Sequence, residues 1–534
     1  VLAQYPGHGA VVANAPGGLL RRDPEVTRSL LPAPRVVEDL SGSVTWHSPL
    51  RINVISQWRS VVDTFAHDLA TSIGWDVAVC EAGDHDIVIL AAPDIAVEGY
   101  RLHVGEPTYI EASSAAGVAY ALTVLRQLGP TSLWSSSPVA LDHLEIARVD
   151  IADHPSFAWR GVHLDVSRHF FDVATVSRLI DHIAAHRLNK LHLHLNDDQG
   201  WRVEIPSWPR LSDVSSQRRS SPVGHEDDGV DDGVVHRGYY TADDLVTLRD
   251  YAATRMVQIV PEIDLPGHAQ AVIAAYPQLG NVDEPLEVWT RWGISEHVLN
   301  VSPEALAFAE EVVGYVAGLF PGSPVHIGGD ECPTSEWEQS ALARAVMDSQ
   351  GFTSARQLQG LFTSRLASVL RASGHEVVAW DEVLDAEVPD GTVIVAWRST
   401  EKAEEAARRG LDVVMAPMQF LYFDWLSSTE PNEPLALAPL PYVTTWETVY
   451  DFSVIPRDLQ SEFQHHVRGA QVQLWSEYIA TRDHLDYMAF PRTAAFSEVV
   501  WGTTTTTEDF RTRLSSHAQR LHAMGIRLRP LDRA

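Results

Sequence analysis

The stretch KLHLHLN, Lys190–Asn196, alternates leucine with histidine and then runs straight into Asp197, Asp198, Gln199 and Gly200. Side chains two apart on an extended strand share a face, so His192 and His194 point one way and the leucines the other. Seven further short, β-rich runs repeat the same plan between Phe157 and Trp501. They are GVHLDVS from Gly161, VQIVPEI from Val257, PVHIGG from Pro324, EVVAW from Glu376, TVIVAW from Thr392, DVVMAP from Asp412 and AQVQLW from Ala470. Helical stretches separate them, the pattern of a parallel sheet with crossover helices. Eight such units predict an α/β fold, a (β/α)8 TIM barrel, which takes about 250 residues and more with insertions.

The barrel reading assigns residues 148–534 to the catalytic domain, ended by a closing helix in TTEDFRTRLSSHAQRLHAMGI, and leaves residues 1–147 as a small N-terminal α+β domain. LRINVIS and HDIVILAA read as strands of that domain, and YIEASSAAGVAYALTVLRQL has the spacing of one amphipathic helix. The clearest insertion is Ser212–Arg237, SDVSSQRRSSPVGHEDDGVDDGVVHR, read as a long acidic loop. Its Asp227, Asp228, Asp231 and Asp232 do not have the spacing of a calcium loop, so a solvated surface is expected there.

The 534 residues are 45% hydrophobic and 21% charged, enough to bury more than one core. A formal charge of -31 argues against nucleic acid and anionic membrane as partners and favours a neutral or small polar substrate. Two cysteines, Cys80 and Cys332, supply no disulfide framework. No apolar run reaches the roughly 20 residues of a membrane span. VLAQYPGHGAVV lacks the basic start and apolar centre of a signal peptide. The expectation is a cytoplasmic protein, or a secreted one whose signal is missing from this chain.

A (β/α)8 barrel carries its active site at the C-terminal ends of its strands. In chain order those ends hold Asp165 and Arg168; Asn196, Asp197, Asp198 and Trp201; Glu262, Asp264 and His268; Asp330 and Glu331; Trp380, Asp381 and Glu382; Trp397 and Arg398; Tyr422 and Asp424; and Trp475 and Glu477. Tryptophans gathered in loops need a reason. Carboxylates and an arginine hold hydroxyls, and flat rings pack on the C–H faces of a pyranose, so the set points to a sugar site and to glycoside hydrolysis. Asp330 and Glu331 are adjacent, and neighbours on an extended strand end point to opposite sides. They cannot flank a glycosidic bond symmetrically. The economical reading makes Glu331 the general acid/base and lets the substrate supply the nucleophile, with Asp330 orienting it.

These residues resemble glycoside hydrolase family 20, the β-N-acetylhexosaminidases. The resemblance spans nearly the whole chain and rests on an ordered set: HPSFAWRGVHLDVSRHF, LNKLHLHLNDDQGWRVEI, PEIDLPGH, HIGGDE, AWDE, LYFDW and LWSE. It implies a retaining exo-hydrolase that removes terminal β-linked N-acetylglucosamine or N-acetylgalactosamine through an oxazolinium intermediate. Glu331 would be the acid/base, Asp330 the acceptor of the acetamido N–H, Tyr422 the donor to the acetamido oxygen, and His268 a histidine poised beside the acid. Trp380, Trp397 and Trp475 would box the acetamide methyl. Arg168 and Glu477 would hold the ring hydroxyls, with Asp424 near O6. Asp198, in preference to Asp197, would support the His268 network, and Trp446 in TTWETVYDF would be a platform for the leaving-group sugar. The resemblance implies no metal and no other cofactor, and as partner an oligosaccharide or glycoconjugate carrying a β-N-acetylhexosaminide. It leaves a homodimer open.

Other readings are weaker. His192, His194 and Asp197 could pass for metal ligands, but polar packing inside the barrel is the simpler account. Cys332 sits beside two carboxylates that would raise its pKa, so it reads as a packing residue. A family 18-type chitinase would carry a D-x-x-D-x-D-x-E strand, which is absent. A lacto-N-biosidase would need room beyond the terminal sugar, where Arg168, Asp424 and Glu477 are expected to close the pocket. A non-catalytic carbohydrate-binding relative should lack the acid.

Overall fold

The computed structural model describes residues 29–80, 83–437 and 442–531. The stretch Val1–Val12, read for a leader, lies outside them. Eight parallel strands close into a barrel: Trp159–Asp165, Lys190–His194, Gln258–Glu262, Val325–His326, Val377–Trp380, Val393–Ala396, Val413–Met415 and Val467–Leu474. The last pairs in parallel with the first, Leu474 opposite Leu164. Every barrel run named from the sequence contains or overlaps one of these strands.

The alternation of the second strand is what orients it. Leu191 and Leu193 pack outward into one core with Ile180 and Ile183 of the helix Val173–Ala185 and with Leu245 and Leu248 of the helix Ala242–Thr254. His192 and His194 lie inside the barrel, where they meet Glu262 of the third strand at 3.1 and 2.5 Å. A one-residue slip would exchange the two faces, at about 1.5–3 kcal/mol for each leucine moved out of apolar packing.

The small domain is a seven-stranded mixed sheet. Its strands run in the order Val36–Trp46, Leu144–Asp153, Tyr100–His103, Thr108–Ala112, Ile87–Ala91, Leu50–Asn53 and Val77–Val79. The expected single helix from Tyr109 is instead a strand, Thr108–Ala112, followed by the helix Ala115–Leu128. Ser114 makes the break, since its side chain caps the helix by accepting from the Gly117 N–H. The strand Leu144–Asp153 runs through the expected junction at 147/148 and stays paired with Val36–Trp46. A buried ionic seam joins the domain to the barrel: Arg187 meets Asp153 at 2.8 Å, Arg160 meets Glu98 at 2.8 Å, and the Trp501 indole donates to Asp153 at 3.0 Å.

The insertion is more ordered than an acidic loop. Gln217–Arg218 pairs with His236–Arg237, and inside that ladder Pro222–Val223 pairs with Val230–Asp231. Asp228 caps a turn by accepting from the His225 N–H, Asp232 accepts from Ser221 and Val234, and Asp231 faces Arg291. The side chain of Asp227 lies outside the described ones. The closing helix runs Thr507–Ala523 and is capped by Thr506.

Candidate active site

The fourth strand ends at His326, and beyond it the chain enters a tight loop instead of continuing as an extended strand end. Gly328 and Gly329 have φ of +64° and +98°, and a Cβ on Gly328 would lie 1.8 Å from Asp264 Oδ1. Only glycine allows that approach. It lets the Gly329 N–H donate to the same oxygen at 2.9 Å, while Gln359 holds the Gly329 carbonyl at 2.5 Å. The loop delivers Asp330 almost fully buried and leaves Glu331 part-exposed, with Glu331 itself in the left-handed region at φ +44°. The two carboxylates therefore have different surroundings, as expected, but a left-handed Glu331 backbone beyond a glycine turn, and not a strand pleat, sets them apart.

His268, also left-handed at φ +47°, stands between two acidic pairs. Its Nδ1 lies 3.2 Å from Asp197 and 3.3 Å from Asp198, and its Nε2 lies 3.8 Å from Asp330 and 3.7 Å from Glu331. Burial alone would hold the imidazole neutral, but the Asp197 charge overrides it and raises the pKa well above the ordinary value. Asp197 is the junction of the site. It takes Arg168 at 2.8 Å, His194 at 2.9 Å and His268, and these cations hold it far below the usual carboxylate range despite burial. Asp198, the residue favoured from the sequence, also reaches His268, but its oxygens mainly anchor the Gln270 and Ser295 N–H groups.

Asp330 holds a proton more tightly than an ordinary carboxyl. Burial, and then the facing Asp264, push its carboxyl well above the ordinary value, while burial raises Asp264 to about 7. Each of these facing buried carboxyls makes the other harder to ionise in the empty site.

Trp380, Trp397, Trp475, Tyr422 and Trp425 pack into one aromatic cluster. The Trp380 and Trp475 centroids are 5.9 Å apart, and Trp397 stacks on Tyr422 at 6.0 Å. The rings are not exposed loop tryptophans, because each indole is fixed from behind. Trp380 donates to Glu262 at 2.7 Å and Trp397 to Glu382 at 2.9 Å, while Arg168 lies 5.1 Å over Trp475. Trp201, also at a strand end, is fully buried and donates to Val203. Glu262 in turn holds His194, whose pKa its charge and that of Asp197 raise to about 10 against the pull of burial. Sequence reasoning gives Glu262 and Glu382 no role, and only their position just before or inside the strand-end motifs could have suggested one.

At the other side, Asp424 and Glu477 are buried with acceptors to spare. Neither Asp424 oxygen has a hydrogen-bond partner, nor does Glu477 Oε2, and Arg168 comes no nearer to Glu477 than 3.9 Å. Burial, and for Asp424 also the Glu477 charge, raise both, Glu477 to about 7. Buried polar atoms in native proteins are nearly always satisfied, so orphaned oxygens lining a pocket mark where ligand hydroxyls sit.

Trp446 is not part of this pocket. It opens a short helix capped by Thr445, is 7% exposed, and packs 5.4 Å from Phe510 of the closing helix under Arg511. The cap turns it inward. The exposed aromatic of that loop is Tyr442, 52% exposed and 5.2 Å from Trp425. Cys332 is buried, its thiol pushed up to about 12 by burial, which suits a packing role.

Several of these groups lie close enough together to hold an ion, among them His163, His194 and Glu262, and Asp264, His268 and Asp330. The His194–Glu262 contact of 2.5 Å argues for a hydrogen bond, since two atoms on one tetrahedral ion at about 2.0–2.1 Å stand roughly 3.3 Å apart.

Comparison with known proteins agrees with this geometry. The model "Glycosyl hydrolase family 20, catalytic domain" matches residues 157–504, and "Glycosyl hydrolase family 20, domain 2" matches residues 27–154. A β-hexosaminidase of Porphyromonas gingivalis is 35% identical over 80% of this chain; the match spans 54% of that protein's length. A β-N-acetylhexosaminidase of Cellulomonas fimi is 32% identical over 80% of each chain. Among solved structures, the GH20 β-N-acetylhexosaminidase of Streptomyces coelicolor A3(2) superposes with a TM-score of 0.82 at 30% identity, covering 96% of this chain and 99% of its own. The GH20 exo β-N-acetylglucosaminidase of Vibrio harveyi, solved with N-acetylglucosamine, superposes at 0.85 and 30% identity over 97% of this chain and 80% of its own. A barrel with an acid pair beside an aromatic cage, preceded by a matching second domain, places this chain in glycosyl hydrolase family 20.

Proposed function

We propose that the protein is an exo-acting, retaining β-N-acetylhexosaminidase that removes a terminal β-linked GlcNAc or GalNAc by using the substrate's own acetamide. The observation that carries this reading is the aromatic cage of Trp380, Trp397, Trp475 and Tyr422, fixed at the barrel mouth beside the Asp330–Glu331 loop. An apolar box suits a methyl group and excludes the water that would compete with an internal nucleophile.

The acetamido carbonyl oxygen attacks C1 as the bond from C1 to the leaving oxygen breaks, and Glu331 passes its proton to that oxygen. Asp330 accepts the acetamido N–H, and the Tyr422 hydroxyl donates to the acetamido oxygen. The resulting oxazolinium is opened at C1 by water, whose proton returns to Glu331, so the anomeric configuration is retained. Arg168, Asp424 and Glu477 take the ring hydroxyls, which supply the donors that the orphaned carboxylate oxygens lack.

A panel of aryl β-glycosides differing only at C2 and C4 tests the proposal. The 2-acetamido members should be hydrolysed and the plain glucoside and galactoside should not, and a thiazoline mimic of the intermediate should inhibit strongly. Comparable hydrolysis of the plain glucoside, or no binding of the thiazoline, would sink it.

A further inference from the structure

The insertion Ser212–Arg237 sits directly behind the hydroxyl-holding end of the pocket, and its contacts converge on the residues that hold that end. Gln199 is the strut between them. It accepts from Arg168 Nε at 2.9 Å and donates to the Arg291 carbonyl at 2.9 Å. Arg291 is gripped by the insertion, with Nε on the Glu226 carboxylate at 2.6 Å and Nη1 on Asp231 at 3.2 Å. Glu226 also accepts from the Trp292 N–H at 3.0 Å, and its own N–H donates to the Tyr478 hydroxyl at 3.1 Å. Tyr478 directly follows Glu477. One residue of the insertion thus ties together the segment after the third strand and the end of the eighth.

The layer between is packed shut. The buried Arg218 guanidinium lies 5.1 Å over Trp292, and His169, next to Arg168, packs 5.6 Å from the same ring. An exposed ion pair alone is worth little, about 0–1 kcal/mol, but here the carboxylate also holds a main-chain donor and the arginine backs a strut to the site.

We infer that this insertion is the wall that restricts the pocket to an unsubstituted terminal sugar, with Glu226 as its positioning residue. It rests on the function proposed above and adds the determinant of which non-reducing ends are accepted. Sugars extended at O3 or O4 are refused because Trp292, Arg218 and Tyr478, locked by Glu226, fill the space beyond Arg168 and Glu477.

The test compares an aryl β-GlcNAc with the same glycoside carrying a further sugar on O3 or O4, using the full chain and its Glu226→Ala, Glu226→Gln and Arg291→Ala variants. The wild type should cleave the first and turn over the extended substrates at under about a thousandth of that rate. Glu226→Ala should raise KM for the simple substrate about tenfold with kcat nearly unchanged, and should relax the exclusion about tenfold or more. Glu226→Gln, which keeps the acceptor for Trp292 but loses the charge on Arg291, should fall between, and Arg291→Ala should reproduce the alanine effect if Glu226→Ala does not fold. Equal wild-type rates on simple and extended substrates overturn the wall, and with it the exo restriction, while leaving acetamide-assisted hydrolysis standing. Variants in which kcat falls with KM unchanged, or in which both constants and the exclusion stay at wild-type values, overturn the wall alone. No wild-type turnover of the simple aryl β-GlcNAc overturns the function itself.

Discussion

Glu477→Gln should stabilise the empty protein at neutral pH while damaging catalysis. Glu477 is buried, one of its oxygens has no partner, and burial raises its carboxyl from the ordinary 4.5 to about 7. Between those two values the folded protein holds a proton that the unfolded chain has released, so stability falls as pH rises through that window. Below pH 4.5 the side chain costs nothing. Above pH 7 the full penalty is present, and at 1.36 kcal/mol per pKa unit it amounts to about 3 kcal/mol. Glutamine keeps the shape and removes the charge, and Arg168 remains paired with Asp197 at 2.8 Å. With about 2.1 cal/mol/K of unfolding entropy per residue over 534 residues, relief of 3 kcal/mol moves Tm by about 3 °C. Thermal unfolding of both forms from pH 4 to pH 8 should therefore show coincident Tm values at the acid end and a gap of that size at the alkaline end. The loss of a charged acceptor for a sugar hydroxyl should cost about 1.5–3 kcal/mol in transition-state binding, or roughly 10–150-fold in kcat/KM. Parallel Tm curves across the range, or a variant less stable at pH 8, would refute the reasoning.

Glu331→Gln should lower turnover of oligosaccharides about 10²–10⁴-fold, with a smaller loss on aryl glycosides whose leaving groups need little protonation; an equal loss on both classes would remove Glu331 from the acid role. Glu262→Gln leaves the buried His194 cation with Asp197 alone and should destabilise by about 3–5 kcal/mol, read by denaturant unfolding. The His194 ring should then titrate well below about 10, which NMR of the imidazole would track, and an unmoved titration would count against the pairing.

The barrel is legible because each strand is a short apolar run with a helix behind it, and the rule that sites gather at strand ends then names most of the pocket. The features that escape are those set by a partner distant in sequence. The Gly328–Gly329 pair signals a turn locally, but why only glycine fits there is set by Asp264, just past the neighbouring strand, whose oxygen occupies the place of a Cβ. The choice between Asp197 and Asp198 is likewise made from outside, by Arg168 and His194 reaching the first. Trp446 escapes because an aromatic in a loop has no periodicity to show its direction, and its helix cap turns it toward Phe510. Ser114, by contrast, does carry a readable signal, a capping residue before an alanine-rich helix.

The pocket gathers more acid than a neutral sugar calls for. Asp264, Asp330, Glu331, Glu382, Asp424 and Glu477 surround it, with Arg168, His268 and Arg398 as cations within 4 Å of members of the set. In the empty site this is unfavourable: burial first, and the neighbouring acids after it, raise the pKa values of Asp264, Asp330, Asp424 and Glu477. On the proposed path, positive charge growing at C1 and across the acetamide would reverse the balance, since each carboxylate then gains an attractive partner in a low-dielectric space. Asp330 responds most, because burial and the facing Asp264 oppose its ionisation in the empty site. On the proposed path, the forming oxazolinium favours the Asp330 carboxylate, which accepts the N–H as that group becomes acidic. The site is thus matched to the cationic state on the path and mismatched to the empty pocket, which is the differential binding that lowers a barrier.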